Sequence, residues 1–139
     1  MRQCKILKYV SFLMILSALV RLFFGLGMIN FFATARSMGY ESAALSYVLP
    51  AFGLILLCAV CELICGFSGA LNWEEPLRVG RCLLWGCAAL ALGIAGNAMQ
   101  RLTGYGVSII AWCTGVILPV LFCLAAGWFF HRSRPIRRP

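Results

Sequence analysis

Charged residues are scarce in this chain of 139 residues, and histidine is nearly absent. Only 12% of the residues are charged, with four acidic residues and one histidine, whereas a soluble domain carries about 25% charged residues. The single histidine, His131, follows the last apolar run. Haem held by two histidines is therefore excluded within one chain, and hydrolytic triads lack their histidine. No glycine-rich phosphate loop occurs, so we expect no enzyme and no cofactor.

Apolar residues are correspondingly abundant. They make up 63% of the chain, against about 45–50% in a soluble domain. A chain this short cannot bury so much apolar surface in its own core, because a domain of about 150 residues still exposes roughly 30% of its unfolded surface. The composition predicts that a lipid bilayer surrounds the protein.

The net charge of +8 is concentrated at the two ends of the chain. Basic residues crowd the start and the end and are sparse between them, so no basic groove for nucleic acid is predicted. We interpret the excess as a topology signal that faces anionic lipid headgroups.

Four apolar runs are long enough to cross a bilayer, which requires about 20 residues each. The chain is predicted to be a single transmembrane domain, with spans at about residues 9–32, 45–71, 77–99 and 105–130 and a basic tail at 131–139. We do not expect the first run to be a cleaved signal peptide, because it is longer than the apolar core of about 7–15 residues in such peptides and because Arg21 interrupts it. Strands that span a lipid bilayer would alternate apolar and polar side chains, whereas these runs are continuously apolar, so the sequence predicts helices.

Short connections, at residues 33–44, 72–76 and 100–104, join the predicted spans. Short links favour antiparallel neighbours, so the sequence predicts an all-α, up-down-up-down four-helix bundle. Pro119 falls inside the fourth span and is expected to bend it.

The distribution of Lys and Arg predicts the orientation of the bundle. One side carries only Arg36 and Arg101. Both termini are therefore expected in the cytoplasm, on the side that carries nine basic residues: Arg2, Lys5, Lys8, Arg78, Arg81, Arg132, Arg134, Arg137 and Arg138. Trp73 and the run 128–130 lie where an interfacial aromatic belt would be.

Two charged residues, Arg21 and Glu62, fall deep inside predicted spans. A charge at mid-membrane costs about 2.5–3.5 kcal/mol on insertion scales and normally finds a partner inside the bundle. At about 1.5 Å per residue, Arg21 lies roughly 18 Å and Glu62 roughly 13 Å from the cytoplasmic edge. The sequence therefore predicts an Arg21–Glu62 ion pair, which either fixes helix register or forms a proton-linked or cation site.

Small residues form stripes that predict close helix packing. Helix 1 carries Ala18, Arg21 and Gly25 on one such stripe. The predicted packing seam comprises two glycines of helix 2 and a stripe of helix 3: Gly66, Gly69, Cys82, Gly86, Ala89, Gly93 and Gly96.

Seven of the eight cysteines lie within the predicted spans, and the outward connections contain none. A disulfide framework is therefore not expected. Cys58, Cys61 and Cys65 with Glu62 share one helix face and are weak candidates for a soft metal site. The alternative interpretation, which we prefer, is that these cysteines act as small buried apolar residues and that no metal is bound.

Helices 2 and 3 resemble a loose group of small, uncharacterised four-helix bacterial membrane proteins. The resemblance is carried by the stretch 62–69, with Glu62 and two glycines, and then by Asn72, Pro76, Cys82 and Gly86. It implies a bacterial inner membrane and no known activity. The chain is also similar in size and helix number to small multidrug-resistance exporters, which carry their essential Glu in helix 1 rather than helix 2.

The sequence thus supports two hypotheses. The first is a multi-pass membrane protein of the bacterial plasma membrane that acts as a non-catalytic structural or accessory bundle. It would have a homo-oligomeric or membrane-protein partner. The second is a small proton-coupled transporter or channel that uses Glu62.

Overall fold

The computed structural model describes residues 2–40, 43–72, 76–102, 104, 106–107 and 109–133. Over these residues the fold is helical: α1 (Arg2–Ser37), α2 (Ala43–Leu71), α3 (Pro76–Leu102), a short α4 (Ile109–Trp112), a π-helical segment (Cys113–Ile117) and α5 (Leu118–Ser133). The last three follow one another without a break. We refer to them together as the fourth helical stretch.

Each of the four helical stretches contains an apolar segment long enough to cross a membrane. These segments have 33, 26, 25 and 24 residues, at Lys5–Ser37, Ser46–Leu71, Arg78–Leu102 and Ile109–Arg132. Large apolar side chains also cover the outside of the bundle, among them Phe23, Leu84 and Ile110. The prediction of four apolar helices is confirmed, and this fold is compatible with a multi-pass membrane protein.

The helix α1 is longer than the apolar run from which it was predicted. It continues beyond Phe32 to Ser37 because the polar hydroxyls there bond within the helix, with Thr34 Oγ1 donating to the Asn30 carbonyl at 2.9 Å. Gly39, with φ of 85°, then ends the helix. The Tyr40 N–H donates to the Ala35 carbonyl at 3.3 Å, which is the six-to-one bond of a Schellman motif.

Helix α1 also begins at Arg2, seven residues before the predicted start of the first span, whereas the ends of the other helices differ from prediction by four residues or fewer. Helix α3 continues three residues past Met99 to Leu102, and Gly104 follows with φ of 78°. Residues 106–107 are not helical, and the fourth helical stretch begins at Ile109 rather than at 105. Several predicted features lie outside the described residues: Trp73, Tyr105, Arg134, Arg137 and Arg138.

Helices α1, α2 and α3 pack in chain order, and α5 packs against α3 and α1. A core of buried side chains joins all four helical stretches near the start of α1. It comprises Leu7, Met14, Cys65, Val79, Cys82, Phe122 and Ala126. This core therefore includes residues near the starts of α1 and α3 and in the second half of the fourth helical stretch.

Candidate functional site

Arg21 and Glu62 meet in the interior of the bundle. Arg21 lies at the middle of the apolar segment Lys5–Ser37 and is 9% exposed, whereas Glu62 of α2 is fully buried. The distance between Arg21 Nη1 and Glu62 Oε1 is 3.2 Å. The structure therefore brings together the two charges that the sequence singled out.

Arg21 also donates hydrogen bonds to two other parts of the bundle. Its Nη1 donates to Cys58 Sγ at 3.2 Å on α2. In the fourth helical stretch, its Nε donates to Thr114 Oγ1 and its Nη2 to the Ala111 carbonyl, each at 3.0 Å. One guanidinium thus connects α1, α2 and the fourth helical stretch. Bonds that involve a charged group are stronger than neutral ones, at about 1.5–3 kcal/mol each.

The π-helical segment Cys113–Ile117 contains the acceptor Thr114, and the acceptor carbonyl of Ala111 lies two residues before its start. Pro119 explains its position, because a proline ring clashes with the carbonyl four residues earlier in a regular α-helix and lacks an N–H to bond it. The wider π turn avoids that clash, and the Leu118 N–H bonds instead to the carbonyl of Cys113, five residues back. Such π turns are frequent at functional sites.

Gly115 of the π-helical segment provides the space that the guanidinium occupies. A Cβ atom at position 115 would overlap the Arg21 guanidinium. On its other side, the Gly115 carbonyl approaches so close to α3 that a Cβ at Gly93 would overlap it. Glycine is therefore required at both positions for the fourth helical stretch to contact α1 and α3 as it does.

Cys58 completes the polar cluster. Its Sγ lies 3.1 Å from the Ala89 carbonyl of α3 and 3.5 Å from Glu62 Oε1. A thiol carries one proton, and the shorter distance favours donation to Ala89, while the sulfur accepts from Arg21. We call Arg21, Cys58, Glu62, Thr114 and the Ala111 carbonyl the Arg21 cluster. It contacts every helical stretch of the bundle.

The weak metal candidates Cys58, Cys61 and Cys65 do not converge. Cys65 Sγ donates to the Cys82 carbonyl at 3.4 Å, and Cys61 is half-buried. Among the described residues, no group of three or more His, Cys, Asp or Glu side chains is placed to hold a metal ion.

The seven residues of the predicted packing seam are all buried. Gly66 lies against Ile15 and Ser11 of α1, and Gly96 lies against Ile55 of α2. A Cβ at Gly86 would lie 3.0 Å from Cys123 Sγ and 3.2 Å from the Phe122 ring. Small side chains therefore occur where the helices approach most closely, which is how helices pack when hydrocarbon surrounds them.

Some buried polar atoms have no hydrogen-bond partner among the described residues. They are Ser11 Oγ, Ser17 Oγ, Glu62 Oε2 and Asn97 Nδ2. A buried polar atom without a partner costs about 1–3 kcal/mol. Such atoms mark positions where a ligand or a proton could be accommodated.

No family model matches the chain, and comparisons with curated proteins and with solved structures find no match. The resemblance of helices 2 and 3 to small bacterial membrane proteins therefore stays a prediction.

Sequence reasoning missed the contributions of Thr114, Ala111 and Asn97. The spacing of Gly115 and Pro119, four residues apart, was the available signal for the π turn, because it places a glycine carbonyl where the proline ring requires space. Asn97 could have been noticed as a polar side chain on the glycine stripe of α3, four residues after Gly93.

Proposed function

We propose that the chain is an antiparallel four-helix bundle of the bacterial inner membrane, with both termini in the cytoplasm. The order of contacts between α1 and α2 supports the antiparallel arrangement. Gly69 of α2 lies beside Ser11 near the start of α1, whereas the Phe52 ring lies 6.0 Å from that of Phe32 near its end. Residue numbers thus rise along one helix while they fall along the other.

The positions of the basic side chains support the orientation. The end of the bundle where Leu7, Val79 and Ala126 pack together carries exposed basic residues: Lys5, Lys8, Arg78, Arg81 and Arg132. Near the opposite end, Arg36 is exposed and Arg101 lies 5.4 Å from the centre of the Trp112 ring. Lys and Arg favour the cytoplasmic side of a membrane.

Reporter fusions at the carboxyl end test this orientation. We expect a green fluorescent protein fused after Pro139 to be fluorescent in bacteria and an alkaline phosphatase fused there to be inactive, since the phosphatase folds only outside the cytoplasm. The opposite result would show that the tail is exported and would contradict the proposed sidedness.

Within this topology, the Arg21 cluster serves as a structural lock in a non-catalytic bundle. The observation that carries this proposal is the complete burial of Glu62 together with the four hydrogen bonds of Arg21. A proton carrier must reach water from at least one side of the membrane, whereas a lock must be sealed and paired. The bundle would then serve a homo-oligomer or another membrane protein as an accessory or scaffold.

The alternative is a proton-coupled transporter or channel. The specific observation in its favour is that Glu62 Oε2 is buried without a hydrogen-bond partner among the described residues. A carboxyl with one free oxygen could exchange a proton if the surrounding helices opened.

Proton flux into proteoliposomes separates the two functions. The protein and its Glu62→Gln variant are reconstituted with an internal pH-sensitive dye, and the external pH is lowered so that protons are driven into the vesicles. A structural lock predicts that both proteins give the same slow leak as protein-free vesicles. Flux in the unmodified protein that disappears in the variant would contradict the lock and establish Glu62 as a proton carrier.

A further inference from the structure

A cavity of about 290 Å³ lies beside the Arg21 cluster, between α1, α2, α3 and the start of the fourth helical stretch. Its walls are mostly apolar and include Phe24, Phe52, Ile55 and Ile110. Small-molecule sites have volumes of roughly 300–1,000 Å³ and apolar walls with a few polar groups. The cavity is therefore at the lower end of that range and suits a small ligand.

Asn97 supplies an unused hydrogen-bond donor in the cavity wall. Its side chain is 1% exposed, and its Nδ2 has no partner among the described residues. A buried amide normally bonds to something. The missing partner must be an acceptor, because Nδ2 can only donate.

Arg21 lines the same cavity and has one donor to spare. A guanidinium carries five N–H groups, and four of them donate to Thr114, Cys58, Glu62 and Ala111. The fifth is on Nη2. Among the polar side chains of the cavity wall, which also include Gln100 and Thr114, Asn97 and Arg21 thus each retain an N–H that can donate to an oxygen atom.

The charge of the cluster selects against an ionic ligand. Glu62 already offsets the charge of Arg21 at 3.2 Å, so a carboxylate or phosphate in the cavity would be a buried charge without a counter-ion, which is costly. A neutral carbonyl oxygen can accept hydrogen bonds from both donors without that cost.

The outer wall of the cavity faces the proposed lipid phase. Val20 and Phe24 of α1 are 45% and 66% exposed, and Ile110 of the fourth helical stretch is 72% exposed. In the membrane embedding proposed above, on which this step rests, a ligand would enter sideways from the bilayer. Apolar molecules that dissolve in lipid are the class that has this access.

We propose that this cavity binds the neutral carbonyl group of a lipid-soluble molecule, and that the carbonyl oxygen accepts hydrogen bonds from Asn97 and Arg21. The carbonyl belongs either to a free ketone-like or quinone-like molecule or to an ester of a phospholipid. Both sources present the same oxygen atom to the same two donors.

Benzophenone is a suitable probe, because it is a small apolar ketone that cross-links to adjacent C–H bonds under ultraviolet light. The full chain in dodecyl maltoside, a detergent without a carbonyl group, is irradiated with benzophenone, and labelled peptides are mapped by mass spectrometry. We expect saturable labelling of cavity residues such as Phe24 and Ile110. An excess of an apolar ketone should compete, and diphenylmethane, which has the same two rings without the carbonyl, should compete less well.

Two variants test the residues that carry the proposal. Asn97→Leu keeps the side-chain size and removes the donor, so it should weaken labelling by about two- to tenfold, as expected for one neutral hydrogen bond. Val20→Trp should fill the cavity and abolish labelling. Val60→Trp is the matched control, since Val60 is 43% exposed on α2 and lies outside this cavity. Helicity and the thermal midpoint of each variant show that it remains folded.

Nanodiscs of two lipids distinguish the sources of the carbonyl. If a phospholipid ester is the natural occupant, diester phosphatidylcholine should suppress labelling more than its diether analogue. If the occupant is a free molecule, the two lipids should give equal labelling. Equal labelling would exclude the lipid ester, and competition by the apolar ketone would then identify a free carbonyl compound as the occupant.

Labelling spread evenly over the lipid-facing side chains, or unchanged in folded Asn97→Leu and Val20→Trp proteins, would overturn the proposal. A chain that stayed monodisperse in buffer without detergent would instead contradict the membrane embedding. The two failures are therefore distinguishable.

Discussion

The buried pair Arg21–Glu62 gives the sharpest test of what holds the bundle together. Replacing Arg21 with Met removes four hydrogen bonds and leaves the buried Glu62 carboxylate without its counter-ion. Replacing Glu62 with Met leaves a buried guanidinium with neutral acceptors. Removal of one partner of a buried pair costs about 3–5 kcal/mol of unfolding free energy, because the remaining charge is uncompensated.

The double variant should behave differently from the sum of the two single variants. Replacing both members of a buried pair with apolar side chains is often neutral or stabilising by about 1–4 kcal/mol. We therefore expect Arg21→Met combined with Glu62→Met to be more stable than either single variant. The coupling free energy should be at least about 2 kcal/mol.

Unfolding in mixed micelles, titrated with sodium dodecyl sulfate and followed by circular dichroism, measures these free energies. Leu57→Met serves as the control, since Leu57 is 56% exposed on α2 and should tolerate the change. If the single variants add to give the double variant within about 0.5 kcal/mol, the two side chains do not stabilise one another. The structural lock would then be refuted.

Two further predictions concern close approaches and the thiol. Gly93→Ala should destabilise the bundle by about 1–3 kcal/mol, because its Cβ would overlap the Gly115 carbonyl. Gly27→Ala, with nothing within 4 Å of its Cβ, should stabilise α1 by about 0.5–1 kcal/mol in the same unfolding assay. If Gly93→Ala and Gly27→Ala changed the unfolding free energy equally, close packing at the seam would be contradicted. Cys58→Ser should retain the hydrogen bonds to Arg21 and the Ala89 carbonyl, whereas Cys58→Val should cost about 1–3 kcal/mol more; equal midpoints would show that the sulfur contacts are unimportant.

The sequence predicts the helices well because apolar length is a strong signal and the structure bears it out. Apolar length is a weaker guide to the residues at which helices end. The run that ends at Phe32 continues as helix to Ser37, since a polar hydroxyl can bond to the helix carbonyl behind it, as Thr34 does. Hydropathy alone does not predict this extension of the helix. The position of Gly39, by contrast, is a stop signal that could have been used.

The site is only partly predictable from the sequence. Depth along the helix axis placed Arg21 and Glu62 at similar levels, and regular spacing placed the small residues on one face of α3. Neither kind of reasoning reaches Thr114 or the Ala111 carbonyl, because both lie at a change of helix type. A calculation that assumes 3.6 residues per turn assigns the side chains around that change to the wrong faces.

That change of helix type keeps the two parts of the fourth helical stretch in phase with each other. A π turn holds one residue more than the α-helical turn that it replaces, and each residue of an α-helix rotates the chain by about 100°. If the same residues Cys113–Ile117 formed a regular α-helix, everything on one side of the segment would turn by about that angle relative to the other side. Either Thr114 would leave Arg21 or Phe122 would leave the core. The π turn thus sets the rotation between the part of the stretch that bonds to Arg21 and the part that packs in the apolar core.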